Sequence, residues 1–164
     1  MNTELDRRLF LAMLVGCTIT GTMAALAESP ASTAADAAPD IPSSSRMEPA
    51  ELAGLLKLAQ DKPIVFQVGV RVLYEQSHIP GAEYCGAAGT ADGLQALRRR
   101  VANVPRDSLI VLYCGCCPWT KCPNIRPAFN LLQSLGFKRV KALNIPSNFG
   151  ADWVDKGYPA ASGL

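Results

Sequence analysis

The stretch Leu109-Ile-Val-Leu-Tyr113-Cys114-Gly-Cys-Cys-Pro-Trp-Thr-Lys121-Cys122-Pro-Asn-Ile-Arg126 decides the fold. It opens with an unbroken apolar run, the pattern of a strand covered on both faces. Ile125, Phe129, Leu132 and Leu135 then recur at helical spacing. A thiol therefore stands between a strand and a helix, at the carboxyl end of the strand, where open α/β sheets bind their ligands. That placement marks Cys114 as the candidate nucleophile.

Outward from this core, the pattern repeats. Pro63-Ile-Val-Phe-Gln-Val68 is a second short apolar run, and Val140–Leu143 a third. Between them lie a helix starting near Pro49 with the apolar stripe Leu52, Leu55, Leu56 and Ala59, and a polar helical stretch from Arg71 to Ser77. Another helix carries Leu94, Leu97 and Val101, with Thr90 as its cap. Gly136 stops the helix that follows the cysteines. Alternating helices and strands predict an α/β domain with a central, mostly parallel sheet and helices on both faces. His78-Ile-Pro-Gly-Ala82 punctuates the chain as a turn.

The chain has 164 residues, 49% of them hydrophobic and 18% charged, which leaves room for one modest globular domain. A formal net charge of +2 gives no basis for nucleic-acid binding. The charge is unevenly spread, however. Between Arg98 and Lys141 nine basic residues face the single acid Asp107, which suits a small anionic ligand. The run Arg98–Arg100 alone reads as a solvated helix end.

Residues 1–27 have the form of an export signal, with Arg7-Arg8 ahead of an apolar stretch from Leu9 to Val15. Asp6-Arg-Arg-Leu-Phe-Leu11 resembles the twin-arginine consensus, which implies export to the periplasm. Two processing sites compete. Ala25-Leu26-Ala27 fits ordinary cleavage, whereas Leu14-Val15-Gly16-Cys17 resembles a lipobox and would tether the domain to a membrane through a lipidated Cys17. Residues 28–46 are rich in Ala, Ser and Pro, with almost no large apolar side chain, and are expected to form a flexible spacer. The domain is then expected over 47–164.

His78-Ile-Pro-Gly-Ala82, the strand entering Cys114, the helix leading to Leu135-Gly136-Phe137, the strand Val140–Leu143, and Trp153 followed by Gly157-Tyr-Pro159 resemble the rhodanese domain in order and spacing. The resemblance covers roughly residues 47–160. It implies a sulfurtransferase in which Cys114 takes a sulfane sulfur from a small anionic donor such as thiosulfate, becomes a persulfide, and passes the sulfur to a thiol or cyanide. It implies neither a metal nor another cofactor. His78 falls to a turn-fixing role in this pattern. Three features depart from it. The loop Gly115–Pro123 is longer than the family's and adds Cys116, Cys117 and Cys122. Gln67-Val-Gly69 stands where Asp-x-Arg is common. Asn144-Ile-Pro146 replaces a glycine pair.

A cysteine with an ordinary pKa near 8.5 is mostly protonated at neutral pH, so the nucleophile needs its thiolate stabilised. The helix beginning near Asn124 is expected to aim N–H groups at Cys114, with Lys121 and Arg126 adding positive charge. Gly115, Cys116, Cys117, Lys121 and Arg126 are thus the expected substrate-binding set, around a Cys114 thiolate open to solvent. The added cysteines leave several roles open. Cys122 with Cys116 or Cys117 could form a disulfide or resolve a Cys114 persulfide. The thiols could hold Zn²⁺ or Cu⁺, although Cys-x-Cys-Cys-x4-Cys lacks the paired arms of a zinc ribbon. Cys114-Gly-Cys-Cys117 also has the spacing of a thiol-disulfide oxidoreductase. A phosphatase of the Cys-x5-Arg type is excluded, because Thr120 stands where it would need cysteine. Cys85 reads as buried packing.

Overall fold

The computed structural model describes residues 40–163. The expected export signal over residues 1–27, the expected lipidation site Cys17 and the first part of the expected spacer lie outside the described residues. Five strands form one sheet: β1 (Arg46–Met47), β2 (Ile64–Gln67), β3 (Glu83–Tyr84), β4 (Leu109–Tyr113) and β5 (Arg139–Leu143). Their order is β1-β5-β4-β2-β3, and every neighbouring pair is parallel. Among the described residues four α-helices accompany them: α1 (Pro49–Leu55), α2 (Arg71–Gln76), α3 (Ala91–Arg100) and α4 (Ile125–Ser134).

β4 occupies the middle of the sheet because its side chains are apolar in both directions. Phe66, Ile110, Leu112 and Ala142 face α3 and α4, while Val65, Val111, Tyr113 and Leu143 face the opposite layer with Leu52, Ala53 and Trp153. Ile110, Val111 and Leu112 are completely buried, and each such side chain contributes about 1.5–3 kcal/mol by leaving water. Thr90 caps α3 as expected, its side chain accepting the Gly93 N–H. Gly136 follows α4 with φ +82°, a left-handed conformation that glycine adopts without strain.

Residues 41–46, expected to be the end of a flexible spacer, are packed into the domain. Ile41 is buried in the α3–α4 layer, and Arg46-Met47 pairs with Ala142-Leu143 as an edge strand. Hydrogen bonds from Arg46 to the Ile41 carbonyl and from Lys141 to the Ser44 carbonyl hold the segment beside this one large apolar residue. Among the described residues no helix is long and apolar enough to cross a membrane.

The strand order positions the site. After β2 the chain moves outward to β3, and after β4 it moves to the other side, to β5. Connections thus leave β2 and β4 in opposite directions, opening a crevice beyond their carboxyl ends. Gln67 ends β2 there, and Cys114 directly follows β4.

Candidate active site

Cys114 is fixed through its backbone before its sulfur meets anything. Gln67, pinned in the core at 2% exposure, donates from Nε2 to the Cys114 carbonyl at 3.1 Å and accepts the Gly69 N–H at 3.2 Å. Gly69 leaves the room that the sulfur occupies, since a Cβ built there would stand 2.9 Å from Cys114 Sγ. Gln67-Val-Gly69, a departure from the expected Asp-x-Arg, is therefore part of the site. Nothing in its own sequence signals this, because the contact depends on β4 lying beside β2. Gly115 then turns the chain with φ +77°, and a side chain there would meet Phe149 Cβ at 2.8 Å.

This turn gathers the sulfurs. Cys114 Sγ lies 3.0 Å from Cys116 Sγ, which lies 3.3 Å from Cys117 Sγ. Asn124 Nδ2 donates to Cys114 Sγ at 3.3 Å, while its Oδ1 accepts the Gly89 N–H at 2.8 Å. Asn124 thus ties the start of α4 to the loop before α3. Cys122 Sγ lies within 4.8 Å of both the Cys114 and the Cys116 sulfurs, at the start of α4, where the backbone N–H groups of Asn124 and Ile125 favour its charged form.

Charge is distributed accordingly, and it differs from the expectation. The Cys122 thiol is lowered to about 6, first by the hydrogen bond from Cys114 and then by those backbone N–H groups, against the opposing effect of burial. The Cys114 thiol is raised well above its ordinary range, because it donates to Cys122 and is buried. The bias toward the charged form therefore lies with Cys122, and Cys114, at 5% exposure and with its thiol pushed up, is not the open thiolate expected. The N–H groups at the start of α4 do stabilise a thiolate, but on the cysteine two residues before Asn124. Burial and neighbouring thiols raise Cys117 to about 12.

The exposed edge of Cys114 faces a cavity of about 410 Å³ that also reaches Gln67, Gln76, Ser77, Tyr113, Cys116 and Phe149. Gly115 and Cys116 line it as expected. Cys117 does not; it borders a smaller pocket beside Trp119 and Cys122. Lys121 and Arg126 lie outside the cavity, and none of its lining residues is basic. Lys121 is exposed at the end of the short turn Trp119–Lys121. Arg126 reaches Asp40 at 3.4 Å. The local excess of basic residues is thus spent on the outer surface. Arg100, from the run expected to be solvated, pairs with Glu83 on β3.

His78 is structural. Its ring stacks on Tyr74 at 4.0 Å, its Nδ1 bonds the Tyr74 carbonyl at 2.8 Å, and its backbone bridges Ala161. Cys85 is buried packing, its thiol raised to about 12 by burial and by Glu83. All described cysteines are free thiols. The sulfurs of Cys114, Cys116 and Cys122 lie within 4.8 Å of one another, close enough to share one thiophilic cation despite a spacing unlike a zinc ribbon's.

Comparison of the sequence with family models and with curated proteins finds no match. Solved structures do match. The BH2092 protein of Bacillus halodurans is similar at 22% identity, over 74% of this chain and 79% of that one, with a TM-score of 0.58. The Alr3790 protein of Anabaena sp. is similar at 21% identity, over 72% of this chain and 93% of that one, with a TM-score of 0.55. The solution structure of the rhodanese-like domain from Alr3790 gives 20% identity, 72% and 79% coverage, and a TM-score of 0.53. At these identities the likeness speaks for the fold alone: the all-parallel sheet, with the cysteine loop beyond its central strand, has the rhodanese-like fold.

Proposed function

We propose that this domain moves sulfane sulfur from a small donor to a thiol acceptor through a persulfide on Cys114. One observation carries the reading: a cysteine thiol at the end of the central strand faces a cavity and has the Cys122 sulfur within 4.8 Å to take its proton. A thiol attacks sulfur only as a thiolate. As Cys114 attacks the donor's outer sulfur, its proton passes to the Cys122 thiolate, whose charge the start of α4 has held in place. The donor's remainder leaves as an anion, sulfite when the donor is thiosulfate. Gln67 and Asn124 hold the nucleophile during the exchange, and the amides and hydroxyls around the cavity supply donors to the leaving group. The leader at residues 1–27 extends the proposal to an exported domain working outside the cytoplasm.

The test is thiosulfate with cyanide as acceptor. Wild type forms thiocyanate, and brief thiosulfate treatment followed by alkylation leaves the Cys114 peptide one sulfur atom heavier. Cys114→Ser does neither. Equal turnover by Cys114→Ser, or no adduct in any variant, would overturn the proposal.

A further inference from the structure

We propose that Cys116 resolves the sulfur-loaded site by attacking the Cys114 sulfur of the persulfide, so that the chain releases hydrogen sulfide and is left with a Cys114–Cys116 disulfide. This deepens the reading above and rests on its Cys114 persulfide. It assigns the acceptor thiol within the chain and adds a product, sulfide, that simple transfer to an outside acceptor does not yield.

The geometry starts at Gly115. In an extended strand, residues two apart stand about 7 Å from each other. The positive φ of Gly115 folds the chain instead, and the sulfurs of Cys114 and Cys116 come to 3.0 Å. A disulfide bond is about 2.05 Å long, so roughly 1 Å of closure separates this contact from a bond. The same distance discriminates between two chemistries. Handing the outer sulfur to Cys116 would need that thiol in line beyond the persulfide bond, roughly 5.5 Å from Cys114 Sγ. At 3.0 Å, Cys116 is placed for the inner sulfur. It also borders the cavity, as Cys117 and Cys122 do not, and it is partly exposed where the other member of the pair is buried.

The step balances without an outside oxidant. The Cys114–S–SH persulfide and the Cys116 thiol become the Cys114–S–S–Cys116 bridge and H₂S. A Cys116–Cys114 bond forms, the persulfide S–S bond breaks, and the Cys116 proton leaves with the expelled sulfur. The sulfane sulfur gains two electrons, and the two cysteine sulfurs lose one each. Return to the dithiol requires an external dithiol reductant, which exchanges with the bridge at the exposed Cys116 sulfur.

The test uses the full chain, reduced, freed of reductant and kept under anaerobic conditions, with one equivalent of thiosulfate. Released sulfide is trapped and counted, and the peptide spanning Cys114 to Cys122 is mapped after alkylation. The expected result is one sulfide per chain with a Cys114–Cys116 bridge, and neither product without donor. In Cys116→Ser, sulfide release falls at least about tenfold and the Cys114 adduct accumulates. Three results would overturn the inference while leaving the persulfide intact: sulfide release by Cys116→Ser at the wild-type rate, a bridge mapped to Cys117 or Cys122, or a wild-type adduct that persists without sulfide. Absence of any adduct in both proteins would remove the inference together with the persulfide beneath it.

Discussion

Replacing Gly69 with alanine tests whether this glycine exists to admit the nucleophile. The new Cβ would stand 2.9 Å from Cys114 Sγ, 3.0 Å from the Cys114 carbonyl oxygen and 3.0 Å from Gln67 Nε2. Ordinary contacts between such atoms lie near 3.6 Å, so the overlap with the sulfur is roughly 0.7 Å. None of the three atoms is the loose end of a side chain, because Asn124 holds the sulfur and Gln67 holds the carbonyl. Two opposing effects act on stability. Overpacking costs about 1–3 kcal/mol, whereas alanine at a backbone outside the left-handed region returns about 0.4–1 kcal/mol by restricting the unfolded chain. Overpacking is the larger effect, with a net loss of up to about 2.5 kcal/mol. The effect on chemistry is larger, since displacing a reacting atom by up to 1 Å costs about a hundredfold in rate. The assay is single-turnover adduct formation from thiosulfate, beside the midpoint of denaturant unfolding. Gly54→Ala is the control: its Cβ meets nothing within 4 Å in α1, so it should stabilise the fold by about 0.5–1 kcal/mol and leave the rate alone. A Gly69→Ala protein with wild-type rate and midpoint would refute the reasoning.

The division of charge between the buried thiols predicts a pH profile for adduct formation. Cys122, lowered to about 6, accepts the Cys114 proton only when ionised, so the rate should rise as pH increases through about 6 and then level off. In Cys122→Ser the rise should move to the ordinary thiol range near 8.5 or above, with a loss of roughly a hundredfold at neutral pH; an unmoved profile would show that Cys122 is not the acceptor. The three sulfurs within 4.8 Å predict that one equivalent of Cd²⁺ gives thiolate charge-transfer absorption and blocks adduct formation until a chelator removes it. Titration of absorbance against metal checks this, and unaltered turnover in saturating Cd²⁺ would contradict the clustering.

Legibility in the sequence followed the range of the interactions involved. The step from β4 to Cys114 was readable because burial on both faces leaves a continuous apolar run, and Thr90 and Gly136 were readable because caps are local chemistry. β1 and β3 were not, since a two-residue strand such as Arg46-Met47 or Glu83-Tyr84 takes its pairing from the neighbour's register rather than its own pattern. The site divides along the same line. Proximity in sequence put Lys121 and Arg126 near the nucleophile, but a charged side chain goes where its counter-charge is, and for Arg126 that is Asp40, a residue 86 positions earlier on the chain's polar spacer. Spacing assigned the thiolate stabilised by the start of α4 to Cys114, where the structure favours Cys122. That choice follows from the turn at Gly115, which leaves Cys114 pointing at the cavity and Cys122 beneath the N–H groups of Asn124 and Ile125. A protonated attacking thiol beside an ionised acceptor has a consequence of its own. In the proposed mechanism the charge rests on the atom that accepts the proton, so the nucleophile becomes anionic only as it reacts, and the cavity it faces needs no cation at rest.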